Sequence, residues 1–220
     1  METQNNTGLG LIKTSIKRVQ NQKSLFASAL KKLVNSNEED LAKFLGEVRK
    51  AILKNLTFLC EVLVGVVTEF VVGEKFQQRL KNKVGIQLYF GDNFSNWILT
   101  PMKNVKVSLS KELKLKKFSL LKPMHDTEIQ AELQNPNPID AEEFLPLLWG
   151  MLSLQKNGEE KNDGLLVNGY ANIFHVRLKN GSVVAVGVDW DGDEWSLDAR
   201  GLDCGRRWID GFVFFSPATL

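Results

Sequence analysis

The side chains best suited to chemistry lie in the C-terminal third of the chain, where polar and apolar residues alternate. His175 and Arg177 alternate with apolar residues in one segment, and Asp198 and Arg200 do so in a later segment. If these segments are the outer strands of an antiparallel three-stranded unit, His175 and Asp198 flank Ala185 at about 10 Å, two strand spacings. Small residues at mid-sheet can mark the close approach of a ligand. The four polar side chains therefore form a candidate groove.

A solvated sheet face is the alternative for the same side chains, and its cross-strand charge pairs would each contribute about 0.2–1 kcal/mol. Catalysis would need a further group, and Cys204, which follows the third strand, could meet His175 in a Cys/His arrangement. Only Arg206 and Arg207 stand near Cys204 to favour a thiolate. We therefore favour a protein that is not an enzyme and keep His175, Asp198 and Cys204 as weak candidates for a small hydrolase.

Metal and cofactor signatures do not stand out in the chain. The two histidines and the two cysteines have no zinc-ligand spacing. The acids between 189 and 194 do not match an EF-hand, because Gly192 and Arg200 occupy the wrong loop positions. A hairpin turn at Asp191-Gly192 accounts for them. Phosphate-binding glycine loops and G-x-S-x-G elbows are not found either. The sequence predicts neither a metal nor a cofactor.

Aromatic residues crowd the end of the chain, and two tryptophans stand at predicted strand ends. Exposed aromatics at such positions serve protein contacts, whereas the alternative is that they fill the edge of a small core. A protein partner would then be bound by these tryptophans together with the arginines of the outer sheet face. The predicted binding residues are Trp190, Trp208, Arg177 and Arg200.

The densest basic stretch lies between 103 and 122 and contains lysine but no arginine, with Phe118 as its only aromatic residue. Base recognition favours arginine and interleaved aromatics, so this stretch suits non-specific phosphate contact. The alternative is a solvated lysine edge that blocks sheet pairing. The candidate polyanion contacts are Lys103, Lys106, Lys111, Lys114, Lys116, Lys117 and Lys122.

Charge divides the chain of 220 residues into two unlike parts. Residues 1–124 hold 21 Lys+Arg against 10 Asp+Glu, which gives +11, and residues 125–220 hold 7 against 16, which gives −9; together they return the overall +2. Such asymmetry indicates an electrostatic partner for one part or docking of one part on the other. Two distant cysteines and no secretory leader favour a reducing, cytoplasmic location.

The N-terminal part is predicted to be helical. Apolar residues between 8 and 34 form one amphipathic stripe, and a capping box at Ser36 and Glu39 starts a second helix that runs to about Lys81. Its apolar run 56–73 has about the length of a bilayer span, but Glu61 and Glu69 are costly in hydrocarbon. Since the polar residues share one narrow stripe, we predict a buried soluble helix and no transmembrane span.

After the predicted helices, the spacing of the apolar residues changes from a helical period to the alternation of a strand. Alternation from Val84 to Leu109, with strands at Asn96–Leu99 and Lys103–Leu109, predicts a small antiparallel sheet, and residues 111–122 are interpreted as a boundary segment. A short helix from Thr127 to Leu133 and a longer one after Asp140 follow.

The last 55 residues are predicted to form a four-stranded β-meander. A three-residue loop ending at Gly181 and a two-residue turn at Asp191-Gly192 would align Phe174, Val186 and Leu197 on one face, under the helix that follows Asp140.

The sequence thus predicts an α+β protein of two parts. Residues 1–122 would hold long amphipathic helices with a small antiparallel sheet, and residues 123–220 an acidic helix-plus-β-meander module. The leading function is non-enzymatic binding of a protein partner or self-association. The alternatives are nucleic-acid or anionic-surface binding through 103–122 and the first helix, and a small hydrolase. No motif points to a known family.

Overall fold

A mixed β-sheet lies at the centre of the computed structural model, which describes residues 55–79, 85–134 and 136–218. The strands are β1 Leu56–Val64, β2 Val67–Val71, β3 Leu88–Phe90, β4 Lys106–Leu109, β5 Leu113–Leu120, β6 Ile139–Asp140, β7 Asn172–Arg177, β8 Val183–Trp190, β9 Trp195–Gly201 and β10 Val213–Pro217. The helices are α1 Val72–Lys75, α2 Asp92–Phe94, α3 Thr100–Met102, α4 Asp126–Glu132 and α5 Ala141–Leu154, with a π-helical turn Ser95–Leu99 joining α2 to α3.

Eight strands form one sheet in the order β1-β5-β10-β7-β8-β9-β3, with β6 pairing at the end of β7 beyond β10. The β1-β5, β5-β10, β7-β8 and β8-β9 pairs are antiparallel. The β10-β7, β6-β7 and β3-β9 pairs are parallel. Strands β2 and β4 form a separate antiparallel pair. Helix α5 packs on one face of the large sheet, where the ring of Phe144 lies 5.4 Å from that of Phe174.

The prediction of a long helix across 56–71 is wrong, because this run forms β1 and β2. An apolar run of this kind cannot be assigned by periodicity alone. The polar side chains that seemed to share a helical stripe face partners across β5 instead, with Thr57 opposite Ser119 and Glu61 opposite Lys116. The predicted helix 8–34 and the start of the second helix lie outside the described residues. Among the described helices, none has both the length and the apolar character to cross a bilayer.

The predicted strand at 96–99 is also wrong, since Asp92 begins a helical stretch that continues to Met102. The fully buried side chains here are Phe94, Ile98 and Met102, spaced four residues apart as one face of a helix requires. The strand predicted over 103–109 is confirmed as β4, although it starts at Lys106.

The lysine-rich segment forms β5, which pairs with β1 on one side and β10 on the other. It is therefore neither a boundary segment nor a solvated sheet edge. The sheet takes strands from both sides of residue 122, while the division of the chain into two domains there stays a prediction. Lys117 points into the core: its side chain is buried, its Nζ donates to the carbonyl of Gly164 at 2.6 Å, and burial lowers its pKa.

The meander is confirmed for three strands and wrong for the fourth. Strands β7, β8 and β9 pair in sequence, and Phe174, Val186 and Ala199 share the face that packs under α5. The three-residue loop also holds, with Gly181 at φ +84° and Leu178 N–H donating to Ser182 at 2.8 Å. Strand β10 does not pair with β9, however, but lies between β5 and β7.

The turn after β8 is longer than predicted, which changes the neighbours across the sheet. Trp190 pairs with Trp195, so residues 191–194 form a four-residue loop instead of a two-residue turn. The faces are unchanged because the loop grows by an even number of residues. The register moves by two positions, and Arg200 therefore lies opposite Ala185, while Asp198 lies opposite Gly187.

Both helices of the C-terminal part form near their predicted positions. Helix α4 is capped by His125 and not by Thr127 as predicted, two residues earlier, because Glu128 reaches back to the backbone N–H of His125 at 2.7 Å. Helix α5 follows Asp140 as predicted, but the Asp140 carboxylate makes no cap hydrogen bond. It accepts a hydrogen bond from Arg177 at 3.1 Å instead.

Replacing Lys117 with methionine should stabilise the fold in a pH-dependent way. Because the pKa of Lys117 is lowered on folding, the unfolded chain binds more protons at alkaline pH, and wild-type stability rises with pH there. The advantage of Lys117→Met over wild type in urea unfolding should be full at neutral pH and shrink as the pH approaches the ordinary lysine pKa. The exposed Lys114 on the same strand provides the control, and Lys114→Met should leave the pH profile unchanged. Parallel pH profiles for Lys117→Met and wild type would contradict this expectation.

Candidate functional site

An open pocket of about 650 Å³ lies on the face of β8 and β9 that points away from α5. We call it the outer-face pocket. Its lining comprises Asn93, Trp97, Gly169, Ala171, Ala185, Gly187, Asp189, Asp198, Ala199, Arg200, Gly201, Cys204, Arg206, Trp208 and Phe212. This volume is in the range of small-molecule or side-chain binding clefts, roughly 300–1,000 Å³.

The pocket exists because β8 presents small residues on this face. A Cβ added to Gly187 would stand 3.2 Å from the ring of Trp208, which is closer than comfortable van der Waals contact. Glycine at 187 thus lets the indole lie against the strand. Ala185, the next residue on this face, is also fully buried. The small mid-sheet residues suggested the close approach of a ligand or another backbone, whereas in the structure the Trp208 side chain lies there.

Asp126 is a buried carboxylate at the base of this region. At the start of α4, it has less than 1% of its side chain exposed and accepts hydrogen bonds from three side chains. His175 Nε2 and Trp208 Nε1 lie 2.9 and 2.8 Å from Oδ1, and Arg200 Nη2 lies 3.0 Å from Oδ2. One carboxylate therefore joins α4, β7, β9 and the segment after β9.

The charge of Asp126 is stabilised by these contacts. Burial alone raises the pKa of Asp126, but the hydrogen bonds from His175 and Trp208 and the charge of Arg200 outweigh it and leave the pKa below its ordinary value. A buried carboxylate with this many donors remains ionised. The Asp126 carboxylate is consequently an anion, and the cation of Arg200 balances its charge.

Arg200 is held in place from two directions. Its guanidinium carbon lies 3.5 Å from the centroid of the Trp208 ring, a cation–π contact, and its Nη2 reaches Asp126. Its Nε is buried and has no hydrogen-bond partner among the described residues. Arg200 therefore forms a fixed wall of the pocket, and Asp126 offsets its charge.

Asp189 and Asp198 are the carboxylates of the pocket. Asp198 packs so closely on Gly91 that a Cβ at that position would collide with its carboxylate. Burial, and then the negative charges of Asp191 and Asp198, raise the pKa of Asp189 to about 6. Neither Asp189 nor Asp198 forms an ion pair within the part of the chain that the structure describes.

The structure separates the members of the predicted groove. His175 lies on the same sheet face as the pocket, opposite Ala185, but it is buried against Asp126 of α4 and the ring of Phe214 at 4.7 Å. Arg177 lies at the strand end beside Asp140. Of the four residues of the predicted groove, Asp198 and Arg200 line the outer-face pocket. His175 meets Asp126 and not Asp198, because the longer turn shifts β9 by two residues.

Cys204 lies at the mouth of the outer-face pocket as a free, exposed thiol. No hydrogen bond joins it to His175 within the described ranges. The two tryptophans predicted to bind a partner, Trp190 and Trp208, also have different surroundings. Trp208 is covered, while Trp190 packs edge-on against Trp195 at 5.3 Å.

The seven candidate lysines do not act alike. Lys117 is buried and Lys106 pairs with Glu69 at 2.9 Å. The alternation along β5 puts Lys114 and Lys116 on the opposite sheet face from Lys117. Lys103, Lys111 and Lys122 are exposed in connecting segments.

The acidic residues of the loop after β8 lie close together, and they make contacts within the protein. Carboxylate oxygens of Asp191, Asp193 and Glu194 lie within 4.8 Å of one another. Glu194 receives the guanidinium of Arg79 at 2.6 Å, and Asp191 Oδ1 accepts the backbone N–H of Glu194 at 3.1 Å. An ion pair and a turn account for this cluster.

Sequence reasoning missed four contributors to the site. Asp126 has no distinguishing signal in the sequence, since the predicted helix begins at Thr127, and its role depends on α4 folding over the sheet. Trp97 and Asn93 come from a segment predicted as a turn and strand, and Asn93 donates to the carbonyl of Ala199 at 2.9 Å. Asp189 lay on the predicted outer face but was not singled out as a binding residue.

No protein-family model, curated protein or solved structure matches the chain significantly. Function has to be inferred from the geometry of the chain.

Replacing Asp126 with asparagine should destabilise the protein by about 3–5 kcal/mol, because Arg200 loses the anion that offsets its buried charge. Urea unfolding at neutral pH measures this. The lowered pKa of Asp126 means that its contribution is present above the ordinary aspartate pKa and is lost as the pH falls through the folded-state value. The gap between Asp126→Asn and wild type should therefore narrow in acid. Asp140→Asn, which removes an exposed ion pair, should change stability by less than about 1 kcal/mol.

Replacing Asp189 with asparagine should stabilise the protein above pH 6. A carboxyl whose folded-state pKa is raised binds more protons when folded, so wild-type stability falls as the pH rises from the ordinary aspartate pKa to about 6. Asp189→Asn removes this loss, and its advantage in thermal unfolding should vanish at acid pH. Asp210→Asn, at an exposed acid, is the matched control. An advantage for Asp189→Asn that persists unchanged in acid would refute the expectation.

Proposed function

We propose that the protein is a non-enzymatic binding protein and that it holds a protein partner through the outer-face pocket. The observation that carries this proposal is the combination of an open cleft of about 650 Å³ with two carboxylates that have no ion-pair partner among the described residues. A concave site with a few convergent polar groups is the usual form of a recognition site. A carboxylate that costs stability at such a place is typical of function.

The walls of the pocket are fixed in the manner of a binding site. Arg200 and Trp208 are held by Asp126 from below, and a pocket whose walls are already ordered loses less entropy when it binds. Trp97 has 38% of its surface exposed at the rim, and exposed tryptophan is favoured in protein contacts.

The other functions considered gain less support from the geometry. A hydrolase would use His175, but this side chain is buried on Asp126. Polyanion binding would use the lysines of 103–122, yet Lys117 is buried and Lys106 has a carboxylate partner. A cytoplasmic, reducing location is part of our proposal, and the free Cys60 and Cys204 support it.

The proposal can be tested with fragments of a partner surface. The probes are acetylated amino-acid methylamides that carry arginine, lysine, glutamate, glutamine or phenylalanine side chains. The protein is labelled with fluorotryptophan, which gives one fluorine resonance for each of its five tryptophans. Saturable shifts of the Trp97 and Trp208 resonances by at least one probe are expected, with Trp149 and Trp195 unaffected because they lie outside the pocket.

Cys204 provides a reversible block for this experiment. In a Cys60→Ser background, a benzyl methanethiosulfonate reagent should attach to Cys204 at the pocket mouth and abolish the shifts, and reduction should restore them. If no probe shifts Trp97 or Trp208, or if the shifts survive the block, the outer-face pocket is not the binding site.

A further inference from the structure

We infer that the outer-face pocket recognises a basic side chain of the partner and holds its ammonium or guanidinium group between the carboxylates of Asp189 and Asp198. This inference rests on the proposed function and adds the chemical class of the group that is bound.

The first support is the charge balance of the pocket lining. Four charged residues line it: Asp189, Asp198, Arg200 and Arg206. Arg200 is already offset by Asp126 from below. Two carboxylates then face one exposed arginine, so the pocket keeps a net charge of −1 (−2 + 1). A cation would meet this unbalanced charge.

The second support is the placement of the two carboxylates. Gly187 pairs with Asp198 across β8 and β9, and Asp189 is the next residue on the same face of β8. The two acids are therefore diagonal neighbours, whose Cα atoms are about 7–8 Å apart. A planar guanidinium can donate to two carboxylates from opposite edges, and an ammonium group can donate to both from one point.

The third support is the wall beside the carboxylates. Trp97 stands at the rim with part of its indole exposed, and tryptophan is the aromatic residue that attracts cations best. The pocket volume of about 650 Å³ leaves room beside this indole for a long aliphatic stem with a charged end.

The protonation of Asp189 fits the same occupant. Burial and the negative neighbours Asp191 and Asp198 raise the pKa of Asp189 to about 6. A bound cation would offset these like charges and favour the ionised carboxylate. The other charged groups that line the pocket are Arg200, which is paired with Asp126, and Arg206 at the exposed segment after β9.

The test uses the fluorotryptophan protein and the same capped amino acids as titrants. Capped arginine or lysine should bind the wild-type pocket at least about tenfold more tightly than capped glutamine or glutamate, the effect of about one charge-assisted hydrogen bond. The ratio of the arginine to the lysine affinity then separates a guanidinium site from an ammonium site.

Removing an acid from the pocket and removing a base from it should change the affinity for capped arginine in opposite directions. Asp189→Asn and Asp198→Asn should each weaken capped arginine binding about tenfold. Arg206→Gln should tighten it, because a like charge leaves the pocket. The double variant Asp189→Asn, Asp198→Asn should prefer capped glutamate to capped arginine. Asp210→Asn changes the net charge equally outside the pocket and should have no effect.

The pH profile of binding gives a readout that a purely structural role would not move. Capped arginine binding by wild type should weaken as the pH falls through about 6, because Asp189 becomes protonated. This dependence should disappear in Asp189→Asn, which has no ionisable group at this position.

Each remaining outcome counts against one of the two proposals. If capped glutamine, glutamate or phenylalanine binds the wild-type pocket as well as capped arginine and lysine, the cation inference is wrong while the pocket remains the binding site. If no capped amino acid shifts Trp97 or Trp208, the proposed function itself is wrong.

Discussion

A carboxylate removed from water costs several kcal/mol unless donors replace the lost hydration, and the arrangement of this protein around Asp126 follows from that cost. His175, Arg200 and Trp208 supply the donors, and they come from β7, β9 and the segment after β9. Since Asp126 itself begins α4, the hydrogen bonds can form only when helix and sheet are assembled. The same contacts fix Arg200 and Trp208 as walls of the outer-face pocket, so the folded state and the shape of the pocket depend on one charge.

The two levels of this site treat charge in opposite ways. At the start of α4, the buried Asp126 anion accepts hydrogen bonds from three side chains and its pKa is lowered. In the open pocket on the same sheet face, Asp189 has no ion-pair partner among the described residues, and its pKa is raised. A structure selected for stability alone would not retain a half-buried carboxylate among like charges. The contrast between the paired Asp126 carboxylate and the Asp189 carboxylate, which has no ion-pair partner among the described residues, is what favours recognition over a purely structural role for the pocket.

The sequence was informative where one local rule decided the outcome. The face of β7 and β8 and the loop at Gly181 followed from alternation and turn chemistry. Sequence-based prediction failed where the secondary structure of a segment depends on pairing with a strand that is distant in the chain. Periodicity does not decide between helix and strand for the run 56–71. It forms two strands because β1 pairs with β5 and β2 pairs with β4. Of the four residues of the predicted groove, Asp198 and Arg200 line the outer-face pocket. The two extra loop residues moved both by two positions relative to β8. Asp126 could not be found, because nothing in its local sequence shows that α4 covers the sheet.

The place of β10 has a consequence for the order in which the sheet can form. This strand lies between β5 and β7, yet it follows the other nine described strands in the chain. During vectorial synthesis, β1, β5 and the three strands β7, β8 and β9 are all made before β10. Until β10 is made, the facing edges of β5 and β7 lack their common neighbour. Such edges invite pairing with other chains until they are covered. The last of the described strands is therefore also the one that joins two half-sheets into one and ends this exposure.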